Sequence, residues 1–380
     1  MTASDQSNQK QDVELKRTPL HAFHGEHGAR FVNFEGWEMP VQYRGILEEH
    51  RAVREAAGMF DVSHMGEFMV AGPQAEAFLN FVLTNDISRM EEERAQYNLM
   101  CYPNGGVVDD LIVYRRSAEA FLLCVNASNT AKDFEWLEGH VGDFDCTLQD
   151  ISDHYALIAL QGPESEAILN PLTRAILERL KLFATEETSV AGCDVIISRT
   201  GYTGEPGFEM FTPSPNADRL ARGILEAGES RGLRLVGLGA RDSLRLEAGY
   251  PLYGHELSET ISPLQAGLGW AVKLKKKTDF IGKEALEREK TEGVPRKVVH
   301  FRTGARRILR QDTPVLNGER EVGRVLSGTL SPMLNEAIGT ALVETGALKE
   351  GTLHADLRGR SFPLQLVKPP FYTSQQKNHE

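Results

Sequence analysis

Apolar and β-branched residues flank a run of turn formers over residues 99–116, LMCYPNGGVVDDLIVYRR. Pro103-Asn104-Gly105-Gly106 reads as the turn of a hairpin, since Asn-Gly is the strongest short hairpin signal. Strands are predicted over 99–101 and 107–114 on either side. Val107, Leu111 and Val113 share one face of the second strand and Val108, Ile112 and Tyr114 the other, so both faces should be at least partly buried. Upstream, Leu47, His50, Val53 and Arg54 recur at helical spacing and predict a helix over 46–57, stopped by Gly58. A strand over 59–66 and a short amphipathic helix over 75–83 follow. Downstream come a strand over 121–126 and a helix over 132–141. Strands over 155–160 and 194–198 bracket a helical segment over 164–182, and a further helix covers 217–231. Residues 280–286 read as a strand end turning into a helix. From Val298 onward short strands alternate with Gly, Pro and Asn, the pattern of a small all-β barrel or sandwich. No internal repeat is read.

The same hairpin carries the most suggestive chemistry. Asp109 and Asp110 are consecutive in a strand, so they point to opposite faces and should not share a job. A carboxylate between apolar faces is costly unless it is hydrogen-bonded or paired. Both acids could instead simply cap the hairpin. Residues 199–209, RTGYTGEPGFE, hold three glycines and a proline and must form an irregular loop that presents Tyr202 and Glu205. The Gly-x-Gly at Gly237 and Gly239 has Asp242 where a dinucleotide fingerprint needs glycine, which excludes a Rossmann reading. Beyond it, Arg241 and Arg245 stand one turn apart, able to clamp carboxylates or to pair with Asp242 and Glu247. His21, His24 and His27 lack a neighbouring Cys or convergent carboxylate and read as a solvated face. The adjacent Ser63 and His64 cannot form a triad. The lysine-rich run 273–277 reads as a solvated loop.

Composition narrows the class. A chain of 380 residues suggests two or three domains. Its 41% hydrophobic and 25% charged residues are those of a soluble globular protein. A net charge of −12, from 54 acidic against 42 basic residues, argues against a nucleic-acid partner. No apolar run approaches the ~20 residues of a membrane span. The four cysteines are scattered without Cys-x-x-Cys, giving neither a disulfide framework nor a zinc site. The polar N-terminus fits neither a signal nor a transit peptide. A disordered lead-in over 1–17 and a cytoplasmic location are the expectations.

In order along the chain, the phrases FEGWEMPVQY, GMFDVSHM, NGGVVDDLIVYR, RTGYTGEPGFE, GLGARDSLRLEAGYPLYGHE, SPLQAGLGW, DFIGKEAL and SGTLSP resemble the T protein family of the glycine cleavage system. Those proteins are tetrahydrofolate-dependent aminomethyltransferases. The resemblance is collinear over 18–372 and implies an α+β, three-domain cloverleaf around a central folate site. The first folate-binding domain would take 18–60 and 151–255. A second, ferredoxin-like domain would take 61–150 and 256–292, and a C-terminal β-barrel 293–380. By the same resemblance Asp109 is the catalytic aspartate and Asp110 its structural neighbour. Glu205, Tyr202, Arg241 and Tyr372 contact folate, and Tyr97, Asn126, Met65 and Tyr253 line the pocket. The substrate would be the aminomethyl group on the lipoyl arm of the H protein, with the P and L proteins as functional partners. Ammonia leaves, 5,10-methylenetetrahydrofolate forms, and no metal takes part. An iron–sulphur-assembly branch of the fold carries a cysteine that is missing from residues 278–284 here. The flavin domain of the sarcosine-type oxidases has no room in this chain. A free-standing folate-dependent demethylase and a non-catalytic folate-binding module stay open as alternatives.

Overall fold

The computed structural model describes residues 14–373; of the expected lead-in, residues 1–13 lie outside them. Lys16 already pairs with Trp37. Helix α1 (His21–Glu26) leads to the hairpin β1 (Arg30–Phe34) and β2 (Trp37–Gln42), then to helix α2 (Ile46–Glu55) and strand β3 (Ala57–Asp61). The strand ends before Ser63 and His64, which lie in a turn rather than in the strand expected there. His24 also departs from expectation. It is buried, its Nε2 donating to Asp61 Oδ2 at 2.8 Å and its Nδ1 bonded to the Tyr43 hydroxyl at 2.9 Å.

Strands β4 (Gly66–Ala71), β5 (Arg94–Cys101), β6 (Val107–Ser117), β7 (Ala120–Val125) and β8 (Thr147–Asp150) form one sheet in the order β5-β6-β7-β4-β8. Helices α3 (Ala75–Val82) and α4 (Thr130–Val141) cover one face. Strands β9 (Tyr155–Gln161), β10 (Thr185–Val190), β11 (Cys193–Ser198), β12 (Gly207–Pro213) and β13 (Leu233–Leu235) form a second sheet with β3, in the order β10-β11-β12-β9-β3-β13. Its helices are α5 (Ser165–Leu169) and α6 (Ala217–Gly228). Helix α6 buries Ala217, Leu220, Ala221, Ile224 and Gly228, the i, i+3, i+4, i+7 stripe of a helix lying on a sheet.

The two sheets are copies of one unit. The order first strand, helix, three-strand meander, helix, last strand is the same in both, with β3 inserted beside β9 in the second. An offset of 90 residues carries Gly72-Pro73 onto Gly162-Pro163, and Glu76, Ala77, Leu79 and Asn80 onto Glu166, Ala167, Leu169 and Asn170. The isolated bridge Leu83–Met100 recurs as Thr173–Val190. The left-handed residues Glu93 and Phe183 recur at the same spacing. This corrects the expectation of no repeat: the geometry has outlasted the sequence. It also corrects the long helix over 164–182. Pro171 ends α5 after five residues, because proline cannot donate within a helix.

Turned toward each other, the sheets enclose a shared apolar layer of Phe60, Val62, Tyr114, Leu122, Cys124, Leu157, Phe211, Ala240 and Leu244. Leu111 and Val113 pack on the opposite face, under α3 and α4, so β6 is buried on both sides as its sequence requires. Gly106 in the hairpin turn is obligatory in packing terms, since a Cβ there would stand 1.9 Å from the Glu259 carbonyl oxygen.

Helix α7 (Leu238–Ala248) crosses from the second sheet to the C-terminal part, and α8 (Lys283–Glu292) follows a long irregular segment. Phe280 precedes α8 in a loop, not a strand. Within that segment Lys276 is buried, contrary to the solvated loop expected. Its Nζ donates to the carbonyls of Asn80, Leu83 and Asn85 at 2.6, 2.6 and 2.9 Å. The Asn80 and Leu83 oxygens are acceptors left open at the end of α3, and Asn85 lies just beyond it. The last seven strands, β14 (Arg296–Arg302), β15 (Pro314–Asn317), β16 (Arg320–Ser331), β17 (Glu336–Glu344), β18 (Leu353–Leu357), β19 (Arg360–Pro363) and β20 (Gln365–Val367), make one curled antiparallel sheet ordered β19-β18-β15-β16-β17-β14-β20.

Buried charge joins α7 to that sheet. Arg245, 1% exposed, donates to Glu256 at 2.8 Å, to Asp242 at 2.9 Å and to Ser327 on β16 at 2.9 Å. Glu247 accepts from His50 and Arg54 at 3.0 Å each and from Ser331. Removing one member strands a buried charge, which costs about 3–5 kcal/mol. Arg245→Met is therefore expected to lose stability of that order in urea unfolding monitored by circular dichroism. A loss below about 1 kcal/mol would contradict the role given to the network.

Candidate active site

Alternation along β6 separates its two acids. Asp109 is fully buried beneath α4. Its Oδ1 accepts from the Asn126 amide at 2.9 Å and the Asn129 amide at 2.6 Å, and its Oδ2 from the Asn126 backbone N–H at 3.1 Å. Asp133, on the first turn of α4, hydrogen-bonds the same carboxyl. Neither Asp133 oxygen has a further partner, and both are buried. Burial and then the charge of Asp109 push the Asp133 carboxyl far up, so Asp133 keeps its proton and donates it to Asp109. Asp109 thus ties β6 to the start of α4. Asp133 and Asn129 went unnoticed in the sequence; an acid in the first helical turn is too common there to signal anything.

Asp110 faces the other way, into the layer between the sheets, and is only half-buried. Its Oδ2 accepts from the Tyr97 hydroxyl at 2.9 Å, and its Oδ1 from the Asn126 side chain at 3.0 Å. One amide at the end of β7 therefore bonds both acids, although they face apart as expected. Burial, and then the charge of Asp109, push the Asp110 carboxyl up to about 7, while the Tyr97 and Asn126 bonds pull the other way.

Around Asp110 the same layer holds Met65, half-buried among the inter-sheet side chains, and three groups from the second sheet and α7. Tyr202 donates its hydroxyl to the Pro251 carbonyl and stacks on Tyr250 with 5.9 Å between ring centres. The Arg241 guanidinium lies over the Tyr202 ring at 4.6 Å and makes no ion pair among the described residues. Glu209, opposite Ala159 on β9, accepts from Thr200 and is half-buried. Burial raises its carboxyl and the Arg241 charge opposes that rise. Burial next to that cation also pushes the neighbouring His64 down to about 4, leaving it neutral. The two arginines on α7 have thus divided the roles weighed for them. Arg245 is locked in ion pairs, and Arg241 is free.

Glu205 sits farther along the loop. Arg54 donates to its Oε1 at 2.8 Å, while its Oε2 is buried without a partner. The Arg54 guanidinium in turn lies 5.2 Å from the Tyr372 ring, which the bond from Phe371 N–H to the Glu247 carbonyl at 2.8 Å brings back to the site. Tyr253 stands apart from these, beneath the Lys132 ammonium at 4.0 Å, on the Asp109 and Asp133 side. The structure therefore gathers Asp110, Tyr97, Asn126, Met65, Tyr202, Arg241 and Glu209 into one neighbourhood and Glu205, Arg54 and Tyr372 into an adjoining one. It leaves Asp109 outside both.

Comparison with known proteins agrees with this architecture. Residues 20–276 match the GCVT N-terminal domain family, and residues 296–373 match the glycine cleavage T-protein C-terminal barrel domain. The chain belongs to the glycine cleavage T-protein family. An aminomethyltransferase of Listeria monocytogenes serotype 4a is 48% identical over 362 residues, covering 95% of this chain and 99% of the relative. One from Desulfitobacterium hafniense is 48% identical over 364 residues, 96% and 100% of the two chains. A crystal structure of the glycine cleavage system aminomethyltransferase T from Bartonella henselae superposes with a TM-score of 0.88 at 34% identity, covering 95% of this chain and 99% of that one. Among the described residues no helix is long and apolar enough to cross a membrane.

The two acids should separate in stability measurements. Asparagine at 109 puts an NH2 group in place of one accepting oxygen, donor facing donor, and is expected to cost about 2–4 kcal/mol. Asp110 has a folded pKa raised above its unfolded value, so its stabilising contribution holds at low pH and is lost as pH rises through about 7. Asp110→Asn should therefore leave stability unchanged or raised at pH 8, as thermal unfolding of both variants would show. Equal losses in the two would contradict the division.

Proposed function

We propose that this chain is the aminomethyltransferase of the glycine cleavage system and that Asp110, not Asp109, is its reactive carboxylate. The observation that carries the assignment is the pair of bonds that hold Asp110 in the layer between the sheets, from Tyr97 and Asn126. Asp109 has the same chemistry but is fully enclosed. The donor set also fits a reduced folate. Arg241, without an acid of its own, suits the carboxylates of the glutamyl tail. Glu209, and the orphaned Oε2 of Glu205, can accept from pterin N–H groups. The stacked Tyr202 and Tyr250 rings offer flat apolar faces to the pterin or its aryl linker.

The reaction class sets what the residues must do. An aminomethyl group carried on a lipoyl thiol loses ammonia, and positive charge develops on the one-carbon unit as nitrogen departs. A carboxylate facing that carbon stabilises the charge, and more strongly where water is excluded. When bound, tetrahydrofolate would supply the two nitrogens that take the carbon as its bonds to the amine and to the lipoyl sulphur break, giving 5,10-methylenetetrahydrofolate, ammonia and the free lipoyl thiol. Asp110, with its pKa near the working pH, is suited to receive a proton released at nitrogen. Tyr97 and Asn126 fix the direction of its oxygens, and Met65 fills the apolar wall behind them. The H protein of the system is the proposed carrier of the lipoyl arm.

Asp110→Asn is expected to lower turnover about 10²- to 10⁴-fold with folate affinity preserved, measured as ammonia release and methylene transfer from the aminomethyl-loaded H protein. The pH profile of kcat/KM should rise through about 7, because the ionised acid is the active form. Tyr97→Phe, which removes a bond to that form, should move the rise to higher pH. Arg241→Ala should weaken folate binding by about 10- to 100-fold at calorimetric titration. Turnover of a methylated amine in place of the H protein would favour the demethylase reading. Folate binding without either turnover would favour a binding module.

A further inference from the structure

His64 is a buried polar side chain that the transfer chemistry does not use. It is 3% exposed, and its Nδ1 has no hydrogen-bond partner. Packing fixes the ring instead. Phe34, at the end of β1, meets it edge-on, with 5.6 Å between ring centres and 85° between planes. Val62 and Met65, on either side of Ser63 and His64 in the chain, share one apolar cluster with Ala240, the residue before Arg241. The start of α7 is pressed on the same hairpin, since a Cβ on Gly237 would stand 2.4 Å from the Val41 carbonyl carbon. His64 is thereby held near the Arg241 guanidinium. Burial, and then that charge, keep the imidazole neutral.

Arg241 is a half-buried cation, and a cation so placed ordinarily takes a carboxylate. The acids of this region are engaged by other groups. Asp61 accepts from the Thr18 hydroxyl at 2.6 Å, from His24 at 2.8 Å and from the Ser63 N–H at 2.9 Å. Glu209 accepts from Thr200. What Arg241 has instead are uncharged neighbours. Its guanidinium lies over the Tyr202 ring at 4.6 Å, a cation on a π face. A neutral imidazole with its proton on Nε2 adds a lone pair at Nδ1. Neither neighbour cancels the charge.

We propose that His64 is a positioning residue for Arg241. With the Tyr202 face it steadies the guanidinium by uncharged contacts alone, so the full charge is kept for a carboxylate of the ligand. The inference rests on the folate reading given above, in which Arg241 takes the glutamyl tail.

The test compares two ligands by calorimetric titration, tetrahydrofolate and tetrahydropteroate, which lacks the glutamyl tail. Wild type is expected to prefer the tailed ligand by about 10- to 100-fold. His64→Asp supplies Arg241 with an acid and should cut that preference to about twofold or less, with tetrahydropteroate bound as in wild type. His64→Phe keeps the ring and loses the lone pair, and should lower the preference about three- to tenfold. His64→Asn restores an acceptor near the place of Nδ1 and should come within about threefold of wild type. In turnover the change should fall on the folate KM rather than on kcat. A preference unchanged in both His64→Asp and His64→Phe would overturn the inference. So would an equal loss for the two ligands, which is what a merely structural role would give. Wild type that binds both ligands equally would contradict the folate reading of Arg241 itself, and the role of His64 with it.

Discussion

Strand β6 is buried on both faces, and everything at the site follows from that constraint. A strand under helices on one side and against a second sheet on the other cannot place adjacent polar residues in one environment. Asp109 goes under α4, where four donors satisfy it and fix the helix. Asp110 goes into the inter-sheet layer, where two donors leave it partly open. The Asn126 amide spans the strand end and reaches both, so the structural acid also orients the open one. The negative charge of Asp109 behind the strand then helps raise Asp110 toward neutral pH.

The duplicated unit shows that this arrangement is local to one copy. In the first sheet Leu111 is opposite Val125, the residue before Asn126; in the second, Ile196 is opposite Phe211. Aligning the short turns before α4 and α6 then places Cys193 where Asp109 stands and Pro213 where Asn126 stands. Asp194, in the place of Asp110, is exposed. Without the buried acid and its amide, the second copy instead contributes the outer wall of the site through Tyr202 and Glu209. The repeated scaffold is common to both, and the pair of acids with its shared amide belongs to one.

Much of this was readable in the chain. The hairpin over 99–116, the double burial of β6, the α6 stripe and the run of short strands after Val298 follow from periodicity and turn residues. The choice between the acids does not. Alternation says that they part, but with apolar residues on both faces it cannot say which face holds a helix and which a cavity. Glu209 was not singled out because the glycines draw attention to the loop that presents Glu205, whereas Glu209 gains its place near Arg241 from the register of β12 on β9. Lys276 was lost in a lysine-rich run, since only a helix end distant in sequence makes it a plug. The repeat was hidden because its few identities, Gly-Pro and a handful of helix residues, are matched by turns and bridges rather than by letters.

The most direct test of the division between the two acids is a ¹³C carboxyl titration of aspartate-labelled protein, with signals assigned by single Asn substitutions and recorded with and without tetrahydrofolate. The Asp110 resonance should titrate at about 7 and move when folate is added, while that of Asp109 should not respond to the ligand. A folate-sensitive Asp109 beside an indifferent Asp110 would contradict the account.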